Sequence, residues 1–165
     1  MLNQEDWRDF KELRLRALKT DPTAFGSSFE EEINLPDDEW RRKLEDQKRI
    51  TYAAKILDQL VGIAGVRFES LRHVEHMATI VSVFVNPAFR GKGIGYRLMS
   101  RILEDLHSNP KIIKVRLSVN ELQVAARNMY EKLGFHRIGL AEKEMRVEGK
   151  YYDQSQMELI FEDKL

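Results

Sequence analysis

The chain has 165 residues, the length of one domain, and its 42% hydrophobic residues are enough to form a core. Its 27 basic and 27 acidic side chains cancel, so its charge favours neither nucleic acid nor an anionic membrane as a partner. The absence of cysteine excludes disulfides, a cysteine nucleophile and metal sites with cysteine ligands.

The sequence carries no signal for secretion or membrane insertion. No apolar run approaches the roughly 18 residues that cross a bilayer. The N-terminal segment 1–10 is polar and acidic, without the apolar part of a signal peptide. No repeat, low-complexity tract or flexible linker divides the sequence. We therefore expect a single cytoplasmic domain over 1–165.

Apolar residues at three- and four-residue steps predict three helices in the first part of the chain. The first covers 5–19 and ends at Asp21-Pro22. A second, short helix is predicted over 23–34. The third, over 37–46, begins with acidic residues and has a lysine near its end, the order that the helix dipole favours.

The next segments are rich in β-forming residues. Segments 50–57 and 60–68 predict a hairpin, and Gly62 and Gly65 indicate a bulge or a close backbone approach in its second strand. Segment 77–85 is apolar at nearly every position, which predicts a central strand covered on both faces.

The second half alternates helices and strands. The pattern predicts, in order, a helix over 94–107, a strand over 112–119, a helix over 122–133 and a hairpin formed by 135–147 and 151–161. The whole chain is therefore expected to adopt a mixed α/β fold in which helices cover a central sheet.

Three glycines separate strand 77–85 from the following helix. Gly91, Gly93 and Gly95 leave backbone N–H groups uncovered at a helix N-terminus, an arrangement typical of phosphate binding, and Arg90 and Lys92 add positive charge. The alternative is a tight turn with a purely structural use. The spacing fits neither the P-loop nor the dinucleotide-binding fingerprint.

Two motifs together resemble the GCN5-related N-acetyltransferase (GNAT) superfamily. Arg90, Gly93 and Gly95 match its pyrophosphate motif [RQ]-x-x-G-x-[GA], after a Val85-Asn86-Pro87 similar to its V-x-P. Segment 126–135, ARNMYEKLGF, is similar to its A-x-x-[LM]-Y-E-K-x-G-F. The resemblance implies a GNAT-like fold: a mostly antiparallel central sheet, flanked by helices, whose parallel strands 77–85 and 112–119 splay apart.

The resemblance also implies acetyl-CoA as cosubstrate and Tyr130 as the general acid that protonates the departing thiolate. Main-chain groups of the splayed strand would pair with the pantetheine arm, and amides of the glycine loop would hold the pyrophosphate. The implied cofactor contacts are Ser82, Phe84, Val85, Arg90, Gly91, Lys92, Gly93, Ile94, Gly95, Tyr96, Gln123 and Ala126.

The sequence departs from the family pattern in three places. The family's usual Asn seven residues before the Tyr is Gln123 here, and the N-terminal strand is expected to be short or missing. Thr79 lies in the stretch where some members carry a carboxylate base. The residues left as water-mediated bases, or simply as solvated charges, are Glu69, Glu75, His76 and Glu121.

An acceptor pocket is expected between the early helices and the last hairpin. The candidate lining residues are Phe25, Phe29, Glu30, Trp40, Tyr151 and Tyr152. The acidic runs 30–32 and 37–39 would attract a cationic amine, unless they are only exposed helix starts. The histidines lack a metal-binding spacing, so no metal is expected.

The predicted function is transfer of the acetyl group of acetyl-CoA to a primary amine of a small molecule, by direct attack in a ternary complex. One alternative keeps the chemistry and makes the acceptor a protein N-terminus or lysine. The other is a non-catalytic module that binds acyl-CoA. No nucleic acid or membrane partner is expected, and a homodimer is left open.

Overall fold

The computed structural model describes all residues, 1–165, and forms one mixed sheet with helices on both faces. The helices are α1 (Trp7–Thr20), α2 (Phe29–Ile33), α3 (Asp37–Glu45), α4 (Ile94–Ser108) and α5 (Val124–Lys132). The strands are β1 (Arg49–Ile56), β2 (Gln59–Phe68), β3 (Met77–Val85), β4 (Lys114–Asn120), β5 (His136–Val147) and β6 (Lys150–Ile160). None of the helices combines the length and the apolar character that crossing a bilayer demands.

The six strands lie in the order β1-β2-β3-β4-β6-β5. All neighbours are antiparallel except β3 and β4, which run parallel. That parallel pairing covers only Met77–Thr79 against Lys114–Arg116, so the two strands are unpaired over the rest of their length. The expected pair of splayed parallel strands is therefore present, and it opens toward the glycine loop.

Two hydrophobic cores hold the helices against the sheet. The larger contains 18 buried residues and joins one face of the sheet to α4 and α5, with Met99, Ile102 and Val115 fully enclosed. The smaller contains 11 buried residues and joins α1 and α3 to the opposite face, at β2 and β3. Because both faces of β3 are packed in this way, β3 is held in place along its unpaired edge, which borders the gap between β3 and β4.

The second helix differs most from its prediction. Segment 23–34 divides into a 3-10 turn at Pro22–Ala24 and the five-residue α2. Gly26 and Ser28 lie between them, and Ser28 starts α2 afresh with a capping box to Glu31. No strand precedes α1: Leu2 makes one main-chain hydrogen bond, its N–H donating to Thr51 O over 2.8 Å.

Candidate active site in the gap between β3 and β4

A bulge bends β3 where it borders the gap. Ile63 pairs with Phe84 and Gly65 with Val81, so Ala64 alone faces both Ser82 and Val83. Ser82 has a φ of 58°, a left-handed conformation that a non-glycine residue adopts at a cost. Its hydroxyl accepts hydrogen bonds from Arg14 Nη1 at 3.0 Å and Arg49 Nη2 at 3.2 Å, which fix the bulge.

The strand beyond the bulge presents main-chain groups to the gap in alternation. Asn86 N–H donates to Val61 O over 2.8 Å, so the main chain of Asn86 faces β2. Period-two alternation then directs Phe84 toward β2, and Val83 and Val85 toward the gap. The structure differs here from the expectation that the main chain of Phe84 is free for a cofactor; Val83 takes that place.

The glycine loop ends in a row of unused donors. Six consecutive backbone N–H groups, from Gly91 to Tyr96, donate to no acceptor in the protein, and the first helical hydrogen bond of α4 is Arg97 N–H to Gly93 O. Gly91 and Gly93 have φ of 75° and 72°, and nothing lies within 4 Å of where a side chain would begin. Converging donors at the positive end of a helix form an anion site.

Arg90 does not extend into this anion site. Its Nε donates to Val85 O over 2.8 Å, and its Nη2 forms an ion pair with Asp21. The guanidinium thus ties the turn after α1 to the end of β3. Arg90 acts as an anchor for the border of the gap, whereas Lys92 remains exposed beside the free N–H groups.

Tyr130 lies in the larger core, where it is 5% exposed and packs edge-on against Phe135 with ring centroids 6.1 Å apart. Burial raises the pKa of its hydroxyl far above the ordinary value, so the group stays protonated at every working pH. The hydroxyl makes no hydrogen bond within the protein and is not completely enclosed. It is therefore a protonated donor that is free to serve a ligand.

Helix α5 packs against the first turn of α4. A side-chain carbon at Gly95 would come within 3.3 Å of Met129 Sδ, so glycine is what allows the two helices to approach. Gln123 and Ala126, at the start of α5, are both half-buried, and the Gln123 side chain has no protein partner. Their contact with the cofactor remains a prediction.

Asn120 is a candidate that sequence reasoning missed. It ends β4, where the gap is widest, and is 1% exposed. Its Oδ1 accepts from Leu122 N–H over 2.9 Å, but its Nδ2 is buried without a partner. A buried amide without an acceptor is costly, which marks the group as one that a ligand can satisfy. The sequence signal that could have identified Asn120 is its position directly after the predicted strand 112–119.

None of the proposed bases is both free and close to the gap. Glu121 accepts from Ser155 and pairs with Arg127 at 3.1 Å; the Ser155 hydrogen bond is the main reason its pKa is lowered. Glu69, Glu75 and His76 precede β3 or follow β2, at the closed end of the paired strands. No group of three or more His, Asp or Glu side chains is placed to hold a metal ion.

The predicted acceptor-lining residues separate into buried and accessible ones. Trp40 is completely buried beside Phe10, so its prediction as a lining residue is wrong. Phe25 is 4% exposed and packs on Phe84, which makes it a wall rather than a contact surface. Those with accessible surface are Phe29, Glu30, Tyr151 and Tyr152.

A buried ion pair between Arg14 and Glu32 holds the arginine that donates to Ser82 in the bulge. Arg14 Nη2 and Nε donate to Glu32 at 2.8 and 3.2 Å, and both side chains are less than a tenth exposed. Burial by itself would raise the pKa of Glu32, but hydrogen bonds and charge from Arg14, with help from Ser27 and Lys43, lower it overall. Glu32 is therefore a structural anion, not one offered to an acceptor.

Removing the cation should destabilise the protein strongly. We expect Arg14→Met to cost about 3–5 kcal/mol in urea unfolding at neutral pH, because it leaves a buried carboxylate unpaired. Because the pKa of Glu32 is lower in the folded than in the unfolded protein, ionised Glu32 stabilises the fold at pH values above the unfolded pKa. This stabilisation is lost as pH falls through the folded pKa. The deficit of the variant should therefore shrink toward pH 4, where Glu32 can take up a proton.

Arg16→Met is the matched control for that measurement, because Arg16 lies on the same helix and forms an exposed pair with Glu12. It should change the free energy of unfolding by about 0.5 kcal/mol or less. Equal and small losses for both variants would show that the buried pair contributes nothing.

Comparisons with known proteins agree on one family. A model described as the Acetyltransferase (GNAT) family matches residues 7–135. The chain is 29% identical over 129 residues to N-alpha-acetyltransferase RimI of Mycobacterium tuberculosis, covering 74% of this chain and 78% of that one. It is 35% identical over 100 residues to an uncharacterized Mycobacterium leprae protein, but spans only 26% of its length.

Solved structures share the fold over nearly the whole chain. An acetyltransferase of the GNAT family from Streptococcus pneumoniae gives a TM-score of 0.84 at 21% identity, with 97% of this chain and 96% of that one covered. The putative acetyltransferase yncA of Salmonella typhimurium, solved with acetyl-CoA, gives 0.82 at 17% identity, with 98% and 92% covered. The matched family model, which extends across most of the sequence, shows that this chain belongs to the GNAT family of acetyltransferases.

Proposed function

We propose that this protein transfers the acetyl group of acetyl-CoA to a primary amine of a small molecule, in a complex that holds both at once. The observation that carries the proposal is the row of six free N–H groups at the start of α4, beside the opening between β3 and β4. A diphosphate needs such donors, and an extended amide-containing arm needs an unpaired strand edge. The acetyl-CoA complex of yncA, which shares the fold, supports the choice of ligand.

The chain's own groups fit that ligand. N–H groups of Gly91 to Tyr96 would hold the diphosphate, with Lys92 adding charge. The main-chain groups of Val83 and the N–H of Val85, whose oxygen accepts from Arg90, would pair with the amides of the arm in the manner of an added strand. Asn120 Nδ2 and the amide of Gln123 are donors without protein partners, suited to its carbonyl oxygens.

Bound acetyl-CoA supplies an activated thioester. The acetyl carbonyl carbon would form a bond to the amine nitrogen, and its bond to sulfur would break. A neutral amine can attack the thioester directly, and the chain has no cysteine that could carry the acetyl group first. Tyr130 would give its proton to the departing sulfur and regain one from solvent, to which the amine would lose one. The raised pKa keeps Tyr130 protonated before the reaction, and it also makes the hydroxyl a weaker acid than free tyrosine, so its proton would move only as the carbon–sulfur bond breaks.

The first alternative is a protein N-terminus as acceptor, which the name of the relative RimI favours. Incubation with acetyl-CoA and three acceptor classes separates the possibilities: small amines, peptides with a free N-terminus, and N-blocked peptides with an internal lysine. We expect release of free thiol with small amines. Activity only with peptides would favour the alternative, and acetyl-CoA binding without turnover would identify a binding module.

A further inference from the structure

A row of arginines crosses the sheet just below the open part of the gap. Arg49 pairs in register with Arg67, Arg67 with Thr79, and Thr79 with Arg116, on four successive strands. We call Arg49, Arg67 and Arg116 the arginine row. No sequence motif pointed to it, because its members are brought together only by strand register.

The arginine row lies on the α1 face of the sheet. Ala78, Ile80, Val115 and Leu117 pack into the core beneath α4, so the residues between them, Thr79 and Arg116, face the other way. Ala64 and Val66 pack into the same core, so Arg67, the residue that follows Val66 on β2, also faces away from it. The guanidinium of Arg49 lies over Gly65, 3.3 Å from where a side chain there would begin, which places it on that face too.

Two of these arginines have no carboxylate within ion-pair distance, although Glu32 and Asp46 act on Arg49 through their charge. Neither Arg49 nor Arg67 takes part in an ion pair, and the only side-chain hydrogen bond of Arg49 goes to Ser82. Arg116 approaches Glu158 only to 3.9 Å, whereas Lys114 holds the same carboxylate at 2.5 Å. Like charges on neighbouring strands are unfavourable. Burial, followed by the charge of Arg14, lowers the pKa of Arg49.

The two arginines without ion pairs lie close to the open part of the gap. Arg49 Nη2 is 3.2 Å from Ser82 Oγ, at the bulge that borders the gap. Thr79, at the centre of the row, precedes Ser82 by three residues, or about 10 Å of strand. Arg67, Arg116 and the neighbouring Ser118 are exposed, so a small molecule can reach them from solvent.

The acidic residues nearby do not balance this charge. Glu32 is held by Arg14, and Glu31 caps the start of α2 through Ser28. Only Glu30 of the acidic run remains exposed without a partner. Asp46 also acts on Arg49 through its charge. Arg14, Arg49 and Arg67 still outnumber Glu32 and Asp46, so the surface beside the bulge is positive, the opposite of what would attract a polyamine.

We propose that the acceptor amine carries a carboxylate, as an α-amino acid does, and that Arg49, assisted by Arg67, binds this carboxylate. The inference rests on the proposed function and names its class of substrate. A guanidinium presents a planar fork of donors that matches a carboxylate, and such charge-assisted bonds are among the strongest in proteins. With the carboxylate on Arg49, an amine two bonds away lies beside the bulge.

Matched acceptors test the proposal. Leucine, phenylalanine and lysine would each be compared with the carboxamide and with the decarboxylated amine, following acetyl-CoA consumption. The carboxamide has the less basic amine and thus more neutral nucleophile at pH 7.5, so a preference for the acid must come from binding. We expect at least one acid to exceed both of its partners by about 10-fold or more in kcat/KM.

The variants assign that preference to the arginine row. Arg49→Gln should lower kcat/KM for the preferred acid about 10–100-fold more than for its carboxamide, mainly through KM, because loss of the hydrogen bond to Ser82 affects both acceptors and loss of the carboxylate contact affects only the acid. Arg67→Gln, at an exposed site, should act in the same direction and provides a test if Arg49→Gln folds poorly. Arg101→Gln, on exposed α4 surface across the sheet, should change neither.

Different outcomes separate the two proposals. Equal kcat/KM for acid and carboxamide, or a preference for the decarboxylated amine, would overturn the carboxylate site and leave acetyl transfer intact. If no acceptor is acetylated, the proposed function fails. Calorimetry of the amino acids with the protein bound to acetyl-CoA then decides the carboxylate site, which requires binding that Arg49→Gln or Arg67→Gln weakens.

Discussion

Replacing Gly93 with valine should abolish acetyl-CoA binding and leave a folded protein. Gly93 has a φ of 72° and open space where a side chain would begin, directly before the free N–H groups of α4. A branched side chain there would fill the position that the diphosphate needs. The left-handed backbone adds a cost of about 1–2 kcal/mol, which a domain of this size can absorb. Calorimetry with acetyl-CoA measures the effect.

Gly149→Val is the matched control for backbone strain. Gly149 has a φ of 80°, also with nothing within 4 Å, but it lies in the turn between β5 and β6. The two variants should lose similar amounts of thermal stability, and only Gly93→Val should lose the ligand. Unchanged acetyl-CoA affinity in folded Gly93→Val would exclude the glycine loop as the diphosphate site.

Tyr130→Phe should lower kcat by roughly 10²–10⁴, the usual contribution of a positioned general acid. The change removes only a hydroxyl that has no protein partner, so packing against Phe135 is kept and acetyl-CoA affinity should change little. Binding and turnover must be measured separately, because a fall in kcat/KM alone can reflect lost binding. The raised pKa also predicts that Tyr130 produces no alkaline fall in kcat between pH 6 and about pH 9.

Tyr52→Phe is the corresponding control. Tyr52 belongs to the same core and is 7% exposed, and burial raises the pKa of its hydroxyl to about 12. Its variant should keep kcat within about threefold. If Tyr130→Phe does the same, with chemistry shown to limit the rate, Tyr130 only packs in the core and sulfur is protonated by water.

Local patterns in the sequence were sufficient for most elements of the fold. Strand 77–85 has the predicted bounds, because an unbroken apolar run between polar loops allows few other positions. The helix after the glycine loop, predicted over 94–107, runs to Ser108 before Asn109-Pro110 ends it. The prediction of one helix over 23–34 was wrong, because the apolar spacing continues across Gly26, where the backbone turns.

The site was less accessible from the sequence, since its decisive features depend on pairing between distant strands. Gly62 and Gly65 indicated a bulge or close approach in β2, and the register shift does lie between Ile63 and Gly65. Ser82, the residue of β3 with a positive φ, carries no sequence signal of the bulge. The engagement of Arg90 with Asp21 was also hidden, because the two are 69 positions apart.

The central claim is that acetyl leaves acetyl-CoA for an amine within one complex, and the fate of a labelled acetyl group tests it most directly. Acetyl-CoA with a ¹³C-labelled carbonyl would be mixed with protein and acceptor, followed by quantification of free thiol, N-acetyl product and protein mass. We expect equal amounts of thiol and labelled amide, with unmodified protein throughout. Labelled acetyl retained on the protein, or thiol released without amide, would contradict it.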